Sequence, residues 1–282
     1  MTFASTFDIG GDLRVQRLGF GAMRVTGEGI WGEPKDPAAA KALLRRVVEL
    51  GVDFIDTADA YGPEVSERLL AEALFPYPKG LVIATKGGLL RGGPGQWRPN
   101  CQPAHLRAAC EASLKRLRQD RIDLYQLHAV DPRVPIEESV GELVRLQGEG
   151  KIRHIGLSNV SVAELEKARR LATIVSVQNR YSLLERHSED VLAACEKSSI
   201  GFIPWYPLAM GEVRQNAVIE KVAKSHRATN FQVALAWLLQ KSPVMLPIPG
   251  TSSRAHLEEN CGAAKVSLTD EETRSLSAVA KA

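Results

Sequence analysis

The chain has 282 residues, 44% of them hydrophobic and 24% charged, and this composition excludes an intrinsically disordered protein. Its 36 basic and 33 acidic residues are interspersed and leave a net charge of +3, which argues against a dedicated nucleic-acid surface. The length suits one large domain or two smaller ones.

The cysteines and the apolar runs bear on the cellular compartment. The chain has 4 cysteines, widely spaced and without a C-x-x-C pair, so neither disulfides nor a metal site is expected. The N-terminus lacks a signal-peptide pattern, and no apolar run approaches the length of a membrane span. These features predict a cytoplasmic protein that does not contact membranes.

Short apolar segments alternate with amphipathic ones along most of the chain, which is typical of parallel strand–helix units. A hairpin around Gly10-Gly11 is expected before the first unit. The strands are predicted over residues 18–22, 51–56, 81–86, 122–128, 152–158, 174–178, 200–204 and 245–248. The helices are predicted over residues 37–50, 64–74, 103–118, 136–148, 161–171, 187–197, 216–226 with 230–241, and 254–262. The pattern therefore contains eight strand–helix units.

Capping boxes mark three helix starts, at Ser161 to Glu164, Thr229 to Gln232 and Thr269 to Glu272. The last of them opens an extra helix near the C-terminal end. No flexible linker or shift in composition divides the chain, so one domain over residues 1–282 is expected. Eight units in a chain of this length predict a single (β/α)8 TIM barrel with an N-terminal β-hairpin and a C-terminal extra helix.

A doubly wound parallel sheet is the alternative fold. Gly19-Phe20-Gly21 is the one candidate for a dinucleotide fingerprint, but it lacks the third glycine and leads into a loop instead of a helix. In a barrel, functional groups gather at the C-terminal ends of the strands, so polar residues there are the first candidates for chemistry.

Polar residues end three successive predicted strands. Period-two alternation places Asp56, Lys86 and His128 on the same faces as the apolar residues that precede them. Tyr61 lies in the loop that follows Asp56. We expect these four side chains to meet at the barrel mouth. Asp59 is an alternative to Asp56 for the carboxylate, although its position in the loop is less fixed.

The expected cluster can turn a phenol into a proton donor. A free tyrosine has a pKa of about 10, and the Lys86 ammonium is expected to lower the pKa of Tyr61. Asp56 would hold Lys86 in place, while a neutral His128 would orient a substrate carbonyl. A different interpretation makes Lys86 a Schiff-base nucleophile in an aldolase barrel.

These residues lie within three longer motifs, GVDFIDTADAYG at 51–62, ATKG at 84–87 and IDLYQLH at 122–128, and a fourth motif follows, GKIRHIGLSN at 150–159. The motifs closely resemble those of the aldo-keto reductases, and the resemblance covers nearly the whole chain. It implies an NADPH-dependent oxidoreductase that reduces aldehydes or ketones on a (β/α)8 barrel. It also implies that the four residues at the predicted barrel mouth form the catalytic tetrad: Asp56, Tyr61, Lys86 and His128.

Cofactor contacts are expected at the ends of the later strands. Ser158, Asn159 and Gln178 can each hydrogen-bond a carboxamide, and the resemblance assigns them to the nicotinamide amide. Trp205 occupies an aromatic position that could stack on the nicotinamide ring. Tyr206 replaces a serine common in the family, which leaves that pyrophosphate contact to a backbone amide.

The segment after the last predicted strand leads into a helix start, which is a natural phosphate site. Many family members have Lys where this chain has Gly250, and Arg where it has His256. Arg254, with Ser252 and Ser253, is expected to bind a 2′-phosphate instead, so NADPH is favoured over NADH. The expected cofactor-binding residues are Gly21, Met23, Asp56, Ser158, Asn159, Gln178, Trp205, Tyr206, Pro207, Leu208, Gly250, Thr251, Ser252, Ser253, Arg254, His256, Glu259 and Asn260.

Two predicted loops carry tryptophans, Trp31 within residues 24–36 and Trp97 within residues 87–102. Each tryptophan either lines an apolar pocket for a small carbonyl substrate or anchors its own loop. The loops look most like those of a bacterial branch that includes pyridoxal reductases. The alternative to an enzyme is an NADP(H)-binding sensor or regulatory subunit. The sequence leaves the oligomeric state open and is compatible with a monomer.

Overall fold

Strands and helices alternate along the chain in the predicted order. The computed structural model describes residues 4–280, so residues 1–3 and 281–282 of the expected domain lie outside the described residues. The strands are β1 Thr6–Ile9, β2 Leu13–Gln16, β3 Phe20–Gly21, β4 Phe54–Asp56, β5 Val82–Gly87, β6 Leu89–Gly93, β7 Gln96–Pro99, β8 Ile122–Leu127, β9 Ile152–Ser158, β10 Ile174–Arg180 and β11 Gly201–Trp205. The helices are α1 Pro37–Glu49, α2 Val65–Leu74, α3 Pro103–Leu117, α4 Ile136–Gly148, α5 Val162–Arg169, α6 Glu189–Lys197, α7 Ala217–Ser225, α8 Asn230–Lys241, α9 Arg254–Gly262 and α10 Asp270–Ser277.

Seven strands form one parallel sheet in the order β3, β4, β5, β8, β9, β10, β11. The segment 244–248 joins the two edges. Leu246 donates its N–H to the carbonyl of Phe202 over 2.8 Å, and Gly19 donates to the carbonyl of Pro247 over 2.9 Å. The sheet therefore closes on itself as an α/β barrel.

The prediction of a regular strand over residues 245–248 was wrong. Its one ladder contact is an isolated parallel bridge between Met245 and Phe202. Pro247 and Pro249 have no N–H to donate, so a continuous ladder cannot form there.

The barrel interior is filled by apolar residues from successive strands. Phe54, Val82 and Leu124 belong to one buried cluster with inward residues of β10 and β11. β1 and β2 pair antiparallel, and their buried residues Ile9 and Val15 pack into the same cluster. The hairpin thus lies against the end of the barrel opposite the strand termini that carry polar residues.

Local sequence signals set the helix starts. All three predicted capping boxes are confirmed, at Ser161, Thr229 and Thr269. Each hydroxyl accepts a backbone N–H that the first helical turn leaves unpaired, which stabilises the helix start by about 1 kcal/mol. Within residues 4–280, no helix combines the length and apolar character needed to cross a membrane.

The segment 87–102 was predicted as a loop, and this was wrong in part. β6 and β7 pair antiparallel within it. The strands are joined by Pro94-Gly95, and Gly95 has a φ of +71°, a conformation that glycine adopts without strain. The hairpin projects from the C-terminal end of β5 and carries Trp97.

Candidate active site

Three polar side chains come from the ends of neighbouring strands, and a fourth comes from a loop beside them. Asp56 ends β4, Lys86 lies near the end of β5, and His128 follows β8 directly. Tyr61 lies in the loop between β4 and α2. All four are at least nine-tenths buried, so the structure brings the four predicted residues together in one protected place.

Lys86 is the centre of the cluster. Its ammonium donates to Asp56 Oδ2 over 2.6 Å, to the carbonyl of Thr57 over 2.9 Å and to the Tyr61 hydroxyl over 3.1 Å. Burial opposes the positive charge, but the attraction of Asp56 and Tyr61 outweighs it and raises the pKa of Lys86. Lys86 is therefore protonated and has all three of its N–H groups engaged.

Asp56 is held by two further donors. Gln178 Nε2 lies 2.8 Å from Asp56 Oδ1, and Gln126 Nε2 lies 3.0 Å from the same oxygen. Gln126 was missed by the sequence interpretation, although it shares the inward face of β8 with His128. The two amides fix the orientation of the carboxylate and offset the cost of burying its charge.

The pKa of Tyr61 differs from the expectation. Burial raises the pKa of Tyr61 above its ordinary value of 10.0, while Lys86 opposes the rise and Asp56 adds to it. The predicted lowering was therefore wrong in direction, because the sequence showed the charge of Lys86 but not the depth of burial. A phenol with a raised pKa stays protonated, and it can still protonate an alkoxide, which is a far stronger base.

His128 is a neutral base beside the phenol. Burial, then the charges of Lys86 and Arg91, lower its pKa well below 6.5. The rings of Tyr61 and His128 meet edge to face with centroids 5.8 Å apart. Nδ1 of His128 is buried and has no hydrogen-bond partner among residues 4–280. The ring lines the cavity described below, and its expected hydrogen bond to a substrate carbonyl stays a prediction.

Asp59 does not take the place of Asp56. Its backbone N–H donates to the carbonyl of Lys86 over 3.2 Å, but its buried Oδ1 has no partner among the described residues. Burial and the charge of Glu67 raise the pKa of Asp59 well above 3.8. A carboxyl group in this environment is poorly suited to hold a cation.

A cavity of about 600 Å³ lies over the cluster. The predicted site residues that line it are Gly21, Met23, Asp56, Tyr61, Trp97, His128, Ser158, Asn159, Gln178, Trp205, Tyr206, Pro207, Leu208 and Gly250. Trp97 contacts both rings of the cluster, with centroids 6.5 Å from Tyr61 and 6.4 Å from His128. Trp31 instead lies beside the guanidinium of Arg91, 5.6 Å from its ring centroid, which suits the anchoring role.

The side chains predicted to bind a carboxamide form a small network of their own. Asn159 Nδ2 lies 3.0 Å from both the Ser158 hydroxyl and the carbonyl of His128. The indole N–H of Trp205 donates to Asn159 Oδ1 over 2.9 Å. This network fixes the wall of the cavity formed by the ends of β9 and β11.

A second cavity, of about 720 Å³, adjoins the first. The two share Arg24, Leu208 and Gly250. The predicted residues Thr251, His256, Glu259 and Asn260 line the second cavity.

Arg254 lines neither of the two cavities. Its side chain is 70% exposed and pairs with Glu258 over 3.1 Å. Ser253 caps α9 by accepting the N–H of His256, and Ser252 lines a neighbouring cavity of about 400 Å³. The basic groups beside the second cavity are instead Arg24 and Arg214, both of which the sequence interpretation missed.

The wall between the two cavities requires glycine. A Cβ at Gly250 would lie 2.6 Å from the carbonyl oxygen of Gly21, and a Cβ at Gly21 would lie 2.7 Å from that of Ile248. Both distances are shorter than real Cβ contacts. The close approach of backbone at Gly250 and the side chain of Arg24 thus form part of the lining that the two cavities share.

Comparison with known proteins places this geometry in a family. The model of the aldo/keto reductase family matches residues 17–281. The chain belongs to the aldo/keto reductase family. This is a family of oxidoreductases, and membership agrees with the resemblance seen in the sequence motifs.

Individual aldo/keto reductases and related proteins extend the comparison. An uncharacterized oxidoreductase of Schizosaccharomyces pombe is 53% identical over 93% of this chain and 85% of its own length. Pyridoxine 4-dehydrogenase of Escherichia coli is 41% identical over 99% of both chains. An aldo-keto reductase from Klebsiella pneumoniae, solved in complex with NADPH, is 27% identical, covers 98% of this chain and 94% of that one, and has a TM-score of 0.84.

The sequence of this aldo/keto reductase contains a signal for two of the residues that the sequence interpretation missed, Gln126 and Arg24. Gln126 shares the period-two face of His128, and Arg24 closely follows the first strand. Arg214 had no such signal, because it lies in a 3-10 helix between β11 and α7, Ala209–Gln215, that the sequence did not predict. No group of three or more His, Cys, Asp or Glu side chains that could hold a metal occurs within residues 4–280.

Proposed function

We propose that this protein is an NADPH-dependent reductase that converts an aldehyde or ketone to an alcohol, with Tyr61 as the proton donor. The observation that carries the proposal is the buried hydroxyl of Tyr61, 3.1 Å from the Lys86 ammonium at the cavity lined by Tyr61 and His128. The NADPH in the related Klebsiella structure supports the choice of cofactor.

Most of the residues that would hold NADPH line the two adjoining cavities. Ser158, Asn159 and Gln178 would bind the nicotinamide amide, and Trp205 would contact its ring. The other residues proposed for cofactor binding are Gly21, Met23, Asp56, Tyr206, Pro207, Leu208, Gly250, Thr251, Ser252, Ser253, Arg254, His256, Glu259 and Asn260. When bound, NADPH supplies a hydride to the carbonyl carbon.

The protein groups manage the proton at the carbonyl oxygen. Tyr61 donates its hydroxyl proton to that oxygen, and the Lys86 ammonium stabilises the phenolate that is left. Neutral His128 hydrogen-bonds the same oxygen and holds the carbonyl in line with Tyr61. Asp56 keeps Lys86 charged and fixed in position. These four residues are the catalytic groups of the proposal.

We propose further that the chain forms a single barrel domain in which segment 244–248 occupies the eighth strand position. The segment hydrogen-bonds Phe202 on β11 and Gly19 beside β3, which supports this placement. The barrel would then carry the whole site, with Trp97 in the substrate wall and Trp31 as a loop anchor.

An aldolase mechanism at Lys86 is disfavoured by the structure. A Schiff-base lysine needs a free amine, whereas Lys86 donates to three acceptors and has a raised pKa. Borohydride should therefore trap no substrate on Lys86. A sensor or regulatory subunit that binds NADP(H) is the other alternative, and it differs from a reductase by its lack of turnover.

A screen for NADPH oxidation over aliphatic and aromatic carbonyl compounds tests the proposal. Pyridoxine, for which the Escherichia coli relative is named, and the aldehyde formed from it at position 4 are the first pair to test in both directions. Turnover with NADPH and weaker turnover with NADH are expected. Tight NADPH binding without turnover on any carbonyl would contradict the proposal and favour a sensor.

A further inference from the structure

Arg91 lies where three segments meet. It belongs to β6, and we refer to residues 89–99, which contain β6 and β7, as the Trp97 arm. The guanidinium lies 3.6 Å from the ring centroid of Trp97 and 5.6 Å from that of Trp31. Such stacking on indole rings is favourable for a guanidinium.

The N–H groups of Arg91 donate to carbonyls in all three segments. The partners are Ile30 at 2.8 Å and Gly29 at 3.1 Å in the loop after β3, Ala60 at 3.0 Å in the loop after β4, and Gly93 at 3.3 Å and Gln96 at 3.2 Å in the arm. Within residues 4–280, no carboxylate forms an ion pair with Arg91. The guanidinium is therefore used for its five directional donors and its flat faces.

The contact with Ala60 connects Arg91 to the proposed chemistry. Ala60 immediately precedes Tyr61, so its carbonyl fixes the backbone from which the phenol projects. On the other side, the Trp97 ring lies edge to face against Tyr61 and His128. One side chain thus holds both the backbone before Tyr61 and the aromatic wall beside it.

We propose that Arg91 is a positioning residue that couples the Trp97 arm to the Tyr61 loop. It keeps the phenol, the imidazole and the Trp97 wall in one arrangement, although it does not itself line the cavity over the catalytic cluster. The kinetic consequence rests on the proposed carbonyl reduction, whereas the coupling of the two segments does not.

Arg91→Met and Arg91→Lys test the kinetic consequence. Both should lower kcat for carbonyl reduction on the order of 10- to 100-fold, because misplaced reacting groups slow chemistry more than binding. The dissociation constant for NADPH should stay within about twofold. The lysine in Arg91→Lys should not restore kcat, since one ammonium cannot reach carbonyls in three segments.

Arg98→Met is the matched control. Arg98 follows Trp97 in the same arm and has an exposed side chain. Its substitution removes the same charge from the same hairpin and should leave kcat within about twofold of wild type. A comparable loss of kcat in Arg98→Met would assign the effect to the charge of the arm and overturn the proposal.

Hydrogen–deuterium exchange tests the coupling without any turnover. In both Arg91 variants, amides of the Trp97 arm and of residues 57–62 should exchange faster together, whereas those of α4 should not change. If the wild-type protein reduces no carbonyl, the proposed function fails while the exchange result still decides the coupling. Unchanged exchange in Arg91→Met, or wild-type kcat in Arg91→Lys, would overturn the inference.

Discussion

The Lys86 ammonium lies 3.1 Å from the phenolic oxygen of Tyr61, and both groups are buried. The contact opposes the rise that burial causes in the pKa of Tyr61. It also places a fixed positive charge where a phenolate forms when the proton leaves. Asp56 in turn holds the Lys86 ammonium in place, so the environment of the Tyr61 phenol depends on both residues.

Removal of the Lys86 charge should destabilise the fold. Lys86→Met leaves Asp56 buried without a counter-charge and should lower the free energy of unfolding by about 3–5 kcal/mol. Urea unfolding measures the loss. The double variant Asp56→Asn/Lys86→Met should recover part of it, because no charge is then buried alone. Losses that simply add in the double variant would contradict this account of the pair.

The buried neutral state of His128 should make stability fall on the acid side of neutrality. Burial lowers the pKa of His128 well below 6.5, so below pH 6.5 the unfolded chain binds a proton there that the folded chain does not. The stability contributed by His128 is full above pH 6.5 and is lost as the pH falls, by roughly 1.4 kcal/mol per pH unit.

Comparison of the wild-type protein with His128→Asn isolates this effect. Urea unfolding at about pH 7.5 and about pH 5 should show a larger drop in the wild type, by about 2 kcal/mol. The other histidines contribute equally to both proteins. The same drop in both would mean that His128 is protonated in the folded state.

The basic residues beside the second cavity should govern cofactor affinity. Arg24 lines both cavities, so Arg24→Met should raise the dissociation constant of NADPH by about 10- to 100-fold, the loss of one or two charge-assisted hydrogen bonds. Arg254→Met should have a smaller effect, because Arg254 lines neither cavity and its side chain is 70% exposed. Fluorescence titration with NADPH and NADH measures both dissociation constants. A larger effect of Arg254→Met would contradict this ranking of the two arginines.

The Trp97 ring should discriminate between aromatic and small aliphatic carbonyls. Trp97→Ala removes an aromatic wall of the cavity beside Tyr61 and His128. It should lower kcat/KM for an aromatic aldehyde about two- to tenfold more than for a short aliphatic one. Equal losses for both substrates would show that the ring acts only through the shape of the site.

Much of the fold could be predicted because its signals are local. Capping boxes at Ser161, Thr229 and Thr269 gave helix starts, and period-two alternation gave the inward faces of β4, β5 and β8. Parallel strands bring their C-terminal ends together, so the meeting of the four polar residues followed from the barrel expectation.

What could not be predicted depends on contacts between distant segments. Gln126 and Gln178 converge on Asp56 from separate strands, and Arg91 joins the Trp97 arm to two loops. The depth of burial of Tyr61 reversed the expected direction of its pKa shift. The pairing of Arg254 with Glu258, one helical turn away, likewise depends on side-chain positions that the sequence does not show.

The proton-donating role of Tyr61 is tested most directly by Tyr61→Phe. Tyr77→Phe is the matched control, since the Tyr77 hydroxyl donates to the carbonyl of Leu117, and Tyr77 does not line the cavity over the cluster. NADPH oxidation with a reducible aldehyde, measured beside the dissociation constant of NADPH, gives the decisive comparison. Tyr61→Phe should reduce turnover about 10²- to 10⁴-fold with unchanged NADPH affinity, whereas Tyr77→Phe should not. Wild-type turnover in Tyr61→Phe would contradict the proposed mechanism.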